Sequence, residues 1–168
     1  MEYGKQDIVY INNEDKSWKI EYKVVKEQTA EELAEFKAGQ KHNLDNLLRF
    51  RLNEEGMRIR YLGQSRLDLI QVEGVQLIDK EADKVRIFID ASTFLPVKME
   101  FQTPGRGKRW TTDDERFLFN YHTVEGIQVP FGIRRTANGE KASELQLESV
   151  QINTGLEDSI FQPILRKN

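Results

Sequence analysis

Residues 85–161 carry a run of strand signals separated by short turn signals, and this run constrains the fold more than any other feature. Four segments are rich in β-branched and aromatic residues, which favour strands: 85–90, 95–101, 117–121 and 124–131. The connections between them are short enough for hairpins, which join antiparallel neighbours. The order of the segments therefore predicts a meandering antiparallel sheet.

Two helical segments are predicted between residues 29 and 53. Thr29 and Glu32 have the spacing of a capping box, in which each side chain bonds the backbone amide of the other residue. A helix should follow through about Lys37. A second helical stretch over residues 41–53 places four apolar side chains on or near one face, namely Leu44, Leu47, Leu48 and Phe50.

Turn signals divide the remaining chain into strands, about ten in all. Asn138-Gly139 is the strongest hairpin signal, because a type I′ turn needs positive φ at both central residues. A break is predicted at Glu73-Gly74, and a change in the hydrophobic alternation predicts a bulge near Glu148-Ser149. Residues 103–114 are predicted to form a long polar connection. After it, we expect three aromatic residues to share one face of a strand: Phe117, Phe119 and Tyr121.

Nearly every predicted strand alternates apolar residues with Lys, Arg or Glu, so the sheet should be covered on one side only. Two helices that total about 20–25 residues can cover only a small part of a sheet of ten strands of about 5–6 residues each. The sequence therefore predicts a mainly β protein with helices (α+β), forming one domain over residues 1–168. Its curved antiparallel sheet would wrap around the helical segment, which leaves room for a cavity.

Composition excludes several functions. The 25 Lys and Arg residues nearly balance 28 Asp and Glu, and a net charge of −3 gives no positive field to attract nucleic acid. No apolar run is long enough for a transmembrane segment. Cysteine is absent, which excludes disulfides and thiolate metal sites. The first residues contain no signal peptide, and we expect a cut or processed form of a longer chain.

The sequence shows no catalytic constellation. His42 and His122 are the only histidines, and neither has a second ligand or a carboxylate at metal-site spacing. No serine has the Gly-x-Ser-x-Gly context, and no phosphate-binding loop or dinucleotide fingerprint is present. We therefore expect no catalytic residues, no enzymatic activity, no metal and no cofactor.

Two groups of residues allow more than one interpretation. The first group either lines an apolar ligand pocket between helix and sheet or forms plain core. It consists of seven apolar residues: Leu44, Leu47, Leu48, Phe50, Phe117, Phe119 and Tyr121. The connection at 103–114 carries Arg106, Lys108, Arg109 and Trp110. These four residues either form an ordinary solvated loop or contact a membrane surface or an acidic partner, because Trp favours interfaces and basic residues favour anionic lipid.

The order of motifs resembles the LolA-like group of bacterial outer-membrane lipoprotein-sorting proteins. The resemblance covers residues 56–163 well and the N-terminal part loosely. Five segments carry it: Tyr-Leu-Gly at 61–63, residues 85–96 with the turn Ala-Ser-Thr-Phe-Leu-Pro, residues 121–130 ending in Val-Pro, residues 147–153, and Asp-Ser-Ile-Phe at 158–161.

This resemblance implies an open half-barrel wrapped around helices, exported from the cytoplasm, with an apolar cavity suited to acyl chains. It also implies that the family's N-terminal helix and first strands are missing here. The implied function is a non-catalytic periplasmic or otherwise extracytoplasmic binding protein, a carrier or sensor of lipid or of lipoprotein acyl chains. The alternative is a cell-envelope interaction module that docks a protein partner through a sheet edge or the tip at 103–114.

Overall fold

The computed structural model describes residues 8–13, 15–104 and 111–163 and contains two separate antiparallel sheets. These residues form ten strands, as predicted, and two α-helices. The described residues divide into two compact units, one within residues 1–43 and 153–168 and the other within residues 44–152. The prediction of a single domain stays a prediction. No helix in the described ranges has the length and apolar character to span a membrane.

The first unit contains a three-stranded sheet and a helix. Its strands are β1 (Ile8–Asn12), β2 (Ser17–Glu21) and β3 (Val24–Glu27), paired in chain order. Helix α1 spans Ala30–Gln40, and a 3-10 turn spans Asp158–Phe161.

The predicted capping box at the start of α1 is confirmed. The amide of Glu32 donates to the Thr29 hydroxyl at 3.2 Å, and the amide of Thr29 donates to the Glu32 carboxylate at 2.7 Å. Two of the amides that a helix start leaves unsatisfied are thus bonded locally. The same bonds lower the pKa of the Glu32 carboxyl, because they favour its charged form.

The second unit contains helix α2 (Leu44–Arg49), a 3-10 turn at Arg51–Asn53 and a seven-stranded antiparallel sheet. The strands are β4 (Arg58–Leu67), β5 (Ile70–Ile78), β6 (Lys84–Asp90), β7 (Pro96–Pro104), β8 (Thr111–Val124), β9 (Ile127–Ala137) and β10 (Glu140–Gln146). Each strand pairs with its neighbours in sequence, so the predicted meander is confirmed, and the sheet remains open between β4 and β10. Of the predicted helical residues 29–53, only α2 and the 3-10 turn belong to this unit.

The turns of this sheet confirm one prediction and correct two others. Asn138 and Gly139 have φ values of 50° and 82°, as the predicted hairpin requires. The predicted break at Glu73-Gly74 is wrong, because β5 continues through these residues and the chain turns earlier, at Asp68-Leu69. The bulge predicted near residues 148–149 is also wrong. Strand β10 ends at Gln146, and its register shift lies between Lys141 and Ser143.

The predicted polar connection at 103–114 is shorter than expected. Strand β7 continues to Pro104 and strand β8 begins at Thr111, and the two strands pair in register up to these residues. Asp113 and Asp114 are consecutive residues of β8 and lie on opposite faces of the sheet. The polar residues of this segment therefore belong to a strand and not to a loop.

A buried ion pair attaches α2 to the sheet. The Arg51 guanidinium donates to the Asp79 carboxylate at 2.8 Å, and the two side chains are 10% and 7% exposed. The other carboxylate oxygen of Asp79 accepts from the amides of Glu81 and Asp83, at 2.9 Å each, in the β5–β6 turn. One carboxylate therefore fixes both the turn and the segment that follows α2.

Candidate functional site

One face of the seven-stranded sheet, which we name the core face, carries the main apolar cluster of this unit. Strand pairing places its residues side by side: Leu77, Val85 and Phe101 form one row, and Val75, Ile87 and Met99 form the next. Leu118 and Leu47 complete the buried cluster. The core face is thus apolar across β5, β6 and β7.

Helix α2 covers only part of the core face. Seven strands about 4.8 Å apart span roughly 29 Å, whereas a helix with its side chains is about 10–12 Å wide. Apolar residues accordingly remain accessible at both margins, with Ile59 on β4 61% exposed and Leu145 on β10 51% exposed. Leu145 pairs with the half-buried Ile133, which pairs with Leu118.

The structure separates the seven apolar residues named from the sequence. Leu47 is fully buried in the cluster, and Leu44 and Tyr121 pack partly buried against it. Leu48 and Phe50 are 45% and 65% exposed on the same helical segment. Phe117 and Phe119 alternate with Leu118 and lie on the opposite face of the sheet.

The prediction that Phe117, Phe119 and Tyr121 share one face is therefore wrong. Asn120 between them has a left-handed φ of 54°, and Tyr121 packs against the cluster that contains Leu118. The Tyr121 hydroxyl donates to the carbonyl of Pro96 at 2.6 Å, and burial raises its pKa to about 12.

Phe117 lies on the face opposite the core face, within a network of aromatic and charged side chains. The Lys98 ammonium lies 5.2 Å from the centre of the Phe117 ring and 5.8 Å from that of Phe88, at cation–π distance. It also pairs with Glu100 at 2.8 Å and Glu115 at 2.6 Å. Burial acts to lower the pKa of Lys98, but the two carboxylates outweigh it and raise the pKa.

Phe119 lies on the same opposite face, where its ring covers Gly132. The two residues are partners across β8 and β9, and a Cβ on Gly132 would lie 2.2 Å from the ring. The guanidinium of Arg134 lies 5.7 Å from the ring centre and pairs with Glu144.

The opposite face also carries an open groove of about 800 Å³. Six of its polar lining residues are Gln76, Asp83, Arg86, Glu100, Asp113 and Glu115. A lining of this kind suits water or polar groups and does not suit an acyl chain.

A polar cluster interrupts the core face at β8 and β9. The Asp114 side chain is fully buried and accepts from Arg135, with contacts of 2.6 Å to Nε and 2.5 Å to Nη2. The Thr103 hydroxyl donates to its other oxygen at 2.5 Å. Arg116 is half-buried over the Phe101 ring, with its guanidinium carbon 4.8 Å from the ring centre.

Sequence reasoning missed this polar cluster. Asp114 and Arg116 are in phase with Leu118, whereas the sequence predicted that the other phase, with Phe117 and Phe119, faces the core. Asp114 was instead placed in the polar connection predicted at 103–114.

The remaining sequence candidates are the residues of the tip at 103–114 and the histidines. Arg106, Lys108, Arg109 and Trp110 lie outside the described residues. The ring of His122 packs 4.4 Å from Phe131 and bonds the Asn120 side chain at 3.0 Å. Within the described ranges, no three His, Asp or Glu residues are grouped so that they could hold a metal ion.

Two solved structures share the fold over most of this chain. A candidate outer membrane lipoprotein-sorting protein domain from Vibrio parahaemolyticus matches with a TM-score of 0.57 at 21% identity, over 89% of this chain and 65% of that one. The chain has a LolA-like fold. A DUF1329 family protein from Desulfovibrio piger ATCC 29098 matches with a TM-score of 0.53 at 14% identity, over 90% of this chain and 65% of that one.

A LolA superfamily protein from Nitrosomonas europaea also matches, with a TM-score of 0.46 at 14% identity, over 93% of this chain and 70% of that one. The LolA-like chain spans 65% of the length of each of the first two structures. No protein-family model and no curated protein matches the sequence. The likeness therefore establishes the fold, and the function has to be argued from the surface.

Proposed function

We propose that this LolA-like chain is a non-catalytic, extracytoplasmic binding protein for an apolar ligand, either a lipid or the acyl chain of a lipoprotein. It would act as a carrier or as a sensor of that ligand. The observation that carries the proposal is the width of the apolar core face, which extends beyond α2 to half-exposed residues at both margins of the sheet. The LolA-like fold supports this choice of ligand and a periplasmic location.

The proposed binding surface differs from the one predicted from the sequence alone. Leu47 is fully buried, so it belongs to the floor of the surface and does not touch the ligand. Leu44, Tyr121 and Ile133 are half-buried around that floor, and Leu145 extends it towards β10. An acyl chain lying here would gain about 0.8 kcal/mol for each CH₂ group removed from water.

Native mass spectrometry of freshly purified protein tests the proposal directly, because a tightly held lipid should copurify. Titration with a fluorescent fatty acid should then show saturable binding. Ile133→Trp should block this binding by filling the surface. Leu69→Trp is the matched control, because Leu69 is 89% exposed in the β4–β5 turn and should tolerate the ring. A wild-type protein that carries no lipid and shows no saturable uptake would contradict the proposal.

The second candidate function is a protein-interaction module of the cell envelope. Among the described strands, β4 and β10 are the two edges of the seven-stranded sheet, and every residue of β10 is exposed. Such an edge can accept a strand from a partner through main-chain hydrogen bonds. The tip at 103–114 is the other proposed docking element. A lipid-free protein that captures one envelope protein would favour this function over the first.

A further inference from the structure

The groove on the opposite face contains a buried polar side chain without a partner. Gln76 in β5 lines this groove and is only 7% exposed. Within residues 8–13, 15–104 and 111–163, no hydrogen bond involves its side-chain amide. The amide atoms are nevertheless not sealed off from the groove. A buried polar group of this kind is costly when it stays unbonded, so the Gln76 amide has a donor and an acceptor for a ligand in the groove.

Other polar side chains of the groove are each held by one bond and keep further bonding capacity. Gln102 Nε2 donates to Asp113 Oδ1 at 2.8 Å, and the backbone amide of Asp113 donates to Asn138 Oδ1 at 3.0 Å. Among the described residues, nothing bonds the Gln102 side-chain oxygen, the second Asp113 oxygen or the Asn138 side-chain nitrogen. The groove therefore presents both donors and acceptors on side chains that are already positioned.

The charged side chains of the groove nearly neutralise each other. Strand pairing places Arg86, Glu100 and Glu115 in one row. Glu100 pairs with Arg86 at 3.4 Å and with Lys98 at 2.8 Å, and Lys98 also pairs with Glu115 at 2.6 Å. The other charged lining residues of this face are Asp83, Lys84 and Asp113. Three cations thus stand against four carboxylates, which leaves little net field for a charged ligand.

These properties favour a neutral ligand rich in hydroxyl groups. A polar lining does not suit an acyl chain, whereas a hydroxyl group both donates and accepts and can therefore bond an amide or a carboxylate. The row from Gln76 in β5 to Glu115 in β8 is about 14 Å long, because strands lie about 4.8 Å apart. We propose that this groove binds a neutral saccharide through the Gln76 amide and the bonding groups around Asp113. The site is separate from the apolar surface, which lies on the core face.

Three neutral trisaccharides test the proposal on the full chain labelled with 15N: maltotriose, cellotriose and N-acetylchitotriose. At least one should bind with a Kd of about 1 mM, the level that about four neutral hydrogen bonds support. The side-chain NH₂ signals of Gln76, Gln102 and Asn138 should shift together in the NMR titration, because all three groups lie in the groove. This titration uses the unaltered protein, so it does not depend on how any variant folds.

A variant assigns the binding to the buried amide. Gln76→Met keeps the length of the side chain and breaks no side-chain hydrogen bond within the described residues, so the fold should be kept. The Kd should rise about 10-fold. Gln71→Met is the matched control, since Gln71 lies in the same strand but outside the groove, where its amide donates to Gln64 at 3.1 Å. Its Kd should equal that of the wild type.

Every other outcome overturns the inference. The site is refuted if none of the three saccharides shifts a signal, or if the shifts lie only outside the groove. A Kd that Gln76→Met leaves unchanged refutes the role of the amide. Larger shifts of the same NH₂ signals with spermidine, or with a blocked trialanine peptide, would assign the groove to a cation or to a peptide. None of these results bears on the proposed lipid-binding function, which concerns the core face.

Discussion

Substituting Gly132 by alanine should destabilise the seven-stranded sheet by a measurable amount. A Cβ at this position would lie 2.2 Å from Cε2, 2.5 Å from Cδ2 and 2.6 Å from Cζ of Phe119. Ordinary contact begins near 3.4 Å, so the ring has to move by about 1 Å or more. Overpacking of this kind costs about 1–3 kcal/mol. Urea denaturation should therefore show a lower midpoint for Gly132→Ala.

A double-mutant cycle isolates the cause. In a Phe119→Ala background the ring is gone, so adding Gly132→Ala should cost much less than it does in the wild type. Gly39→Ala is the control substitution, because nothing lies within 4 Å of its new Cβ in α1. It should stabilise the helix by up to about 1 kcal/mol. Equal costs of Gly132→Ala in the two backgrounds would refute the argument.

Two further predictions concern charged side chains. Asp79→Ala should cost about 3–5 kcal/mol of unfolding free energy in urea denaturation, because it breaks a buried pair with Arg51; the half-exposed Arg86→Ala should cost less than about 1 kcal/mol. Glu115→Gln tests pH dependence: hydrogen bonds from Lys98 and then Thr136 lower the pKa of Glu115 below 4.5. The contribution of the Glu115 carboxylate to the unfolding free energy is present above pH 4.5 and is lost as the pH falls through the lowered pKa. The gap in urea midpoint between wild type and Glu115→Gln should therefore be constant from about pH 7 down to about pH 5 and should narrow as the pH falls below 4.5.

The features that the sequence predicted correctly depend on neighbouring residues. The capping box needs only Thr29 and Glu32, and the β9–β10 hairpin needs only Asn138 and Gly139, so spacing alone was enough. The strand order followed in the same way, because each connection is short.

The features that the sequence did not predict depend on tertiary context. Leu118 is in the cluster and Phe117 and Phe119 are on the other face, while Tyr121, which follows the left-handed residue Asn120, packs against the cluster. Strict alternation cannot anticipate such a residue. The buried Asp114 and its partner Arg135 were missed for a related reason, since charged residues in a strand usually indicate a solvent face. Only their pairing across two strands makes burial acceptable.

The sequential order of the seven strands has a consequence for how such a chain could lengthen. In a meander, the edge strands β4 and β10 are also the first and last strands of their segment. New sequence added before β4 or after β10 could therefore contribute a strand at either edge without breaking an existing pair. A sheet of this kind can become wider over evolution while its centre stays the same.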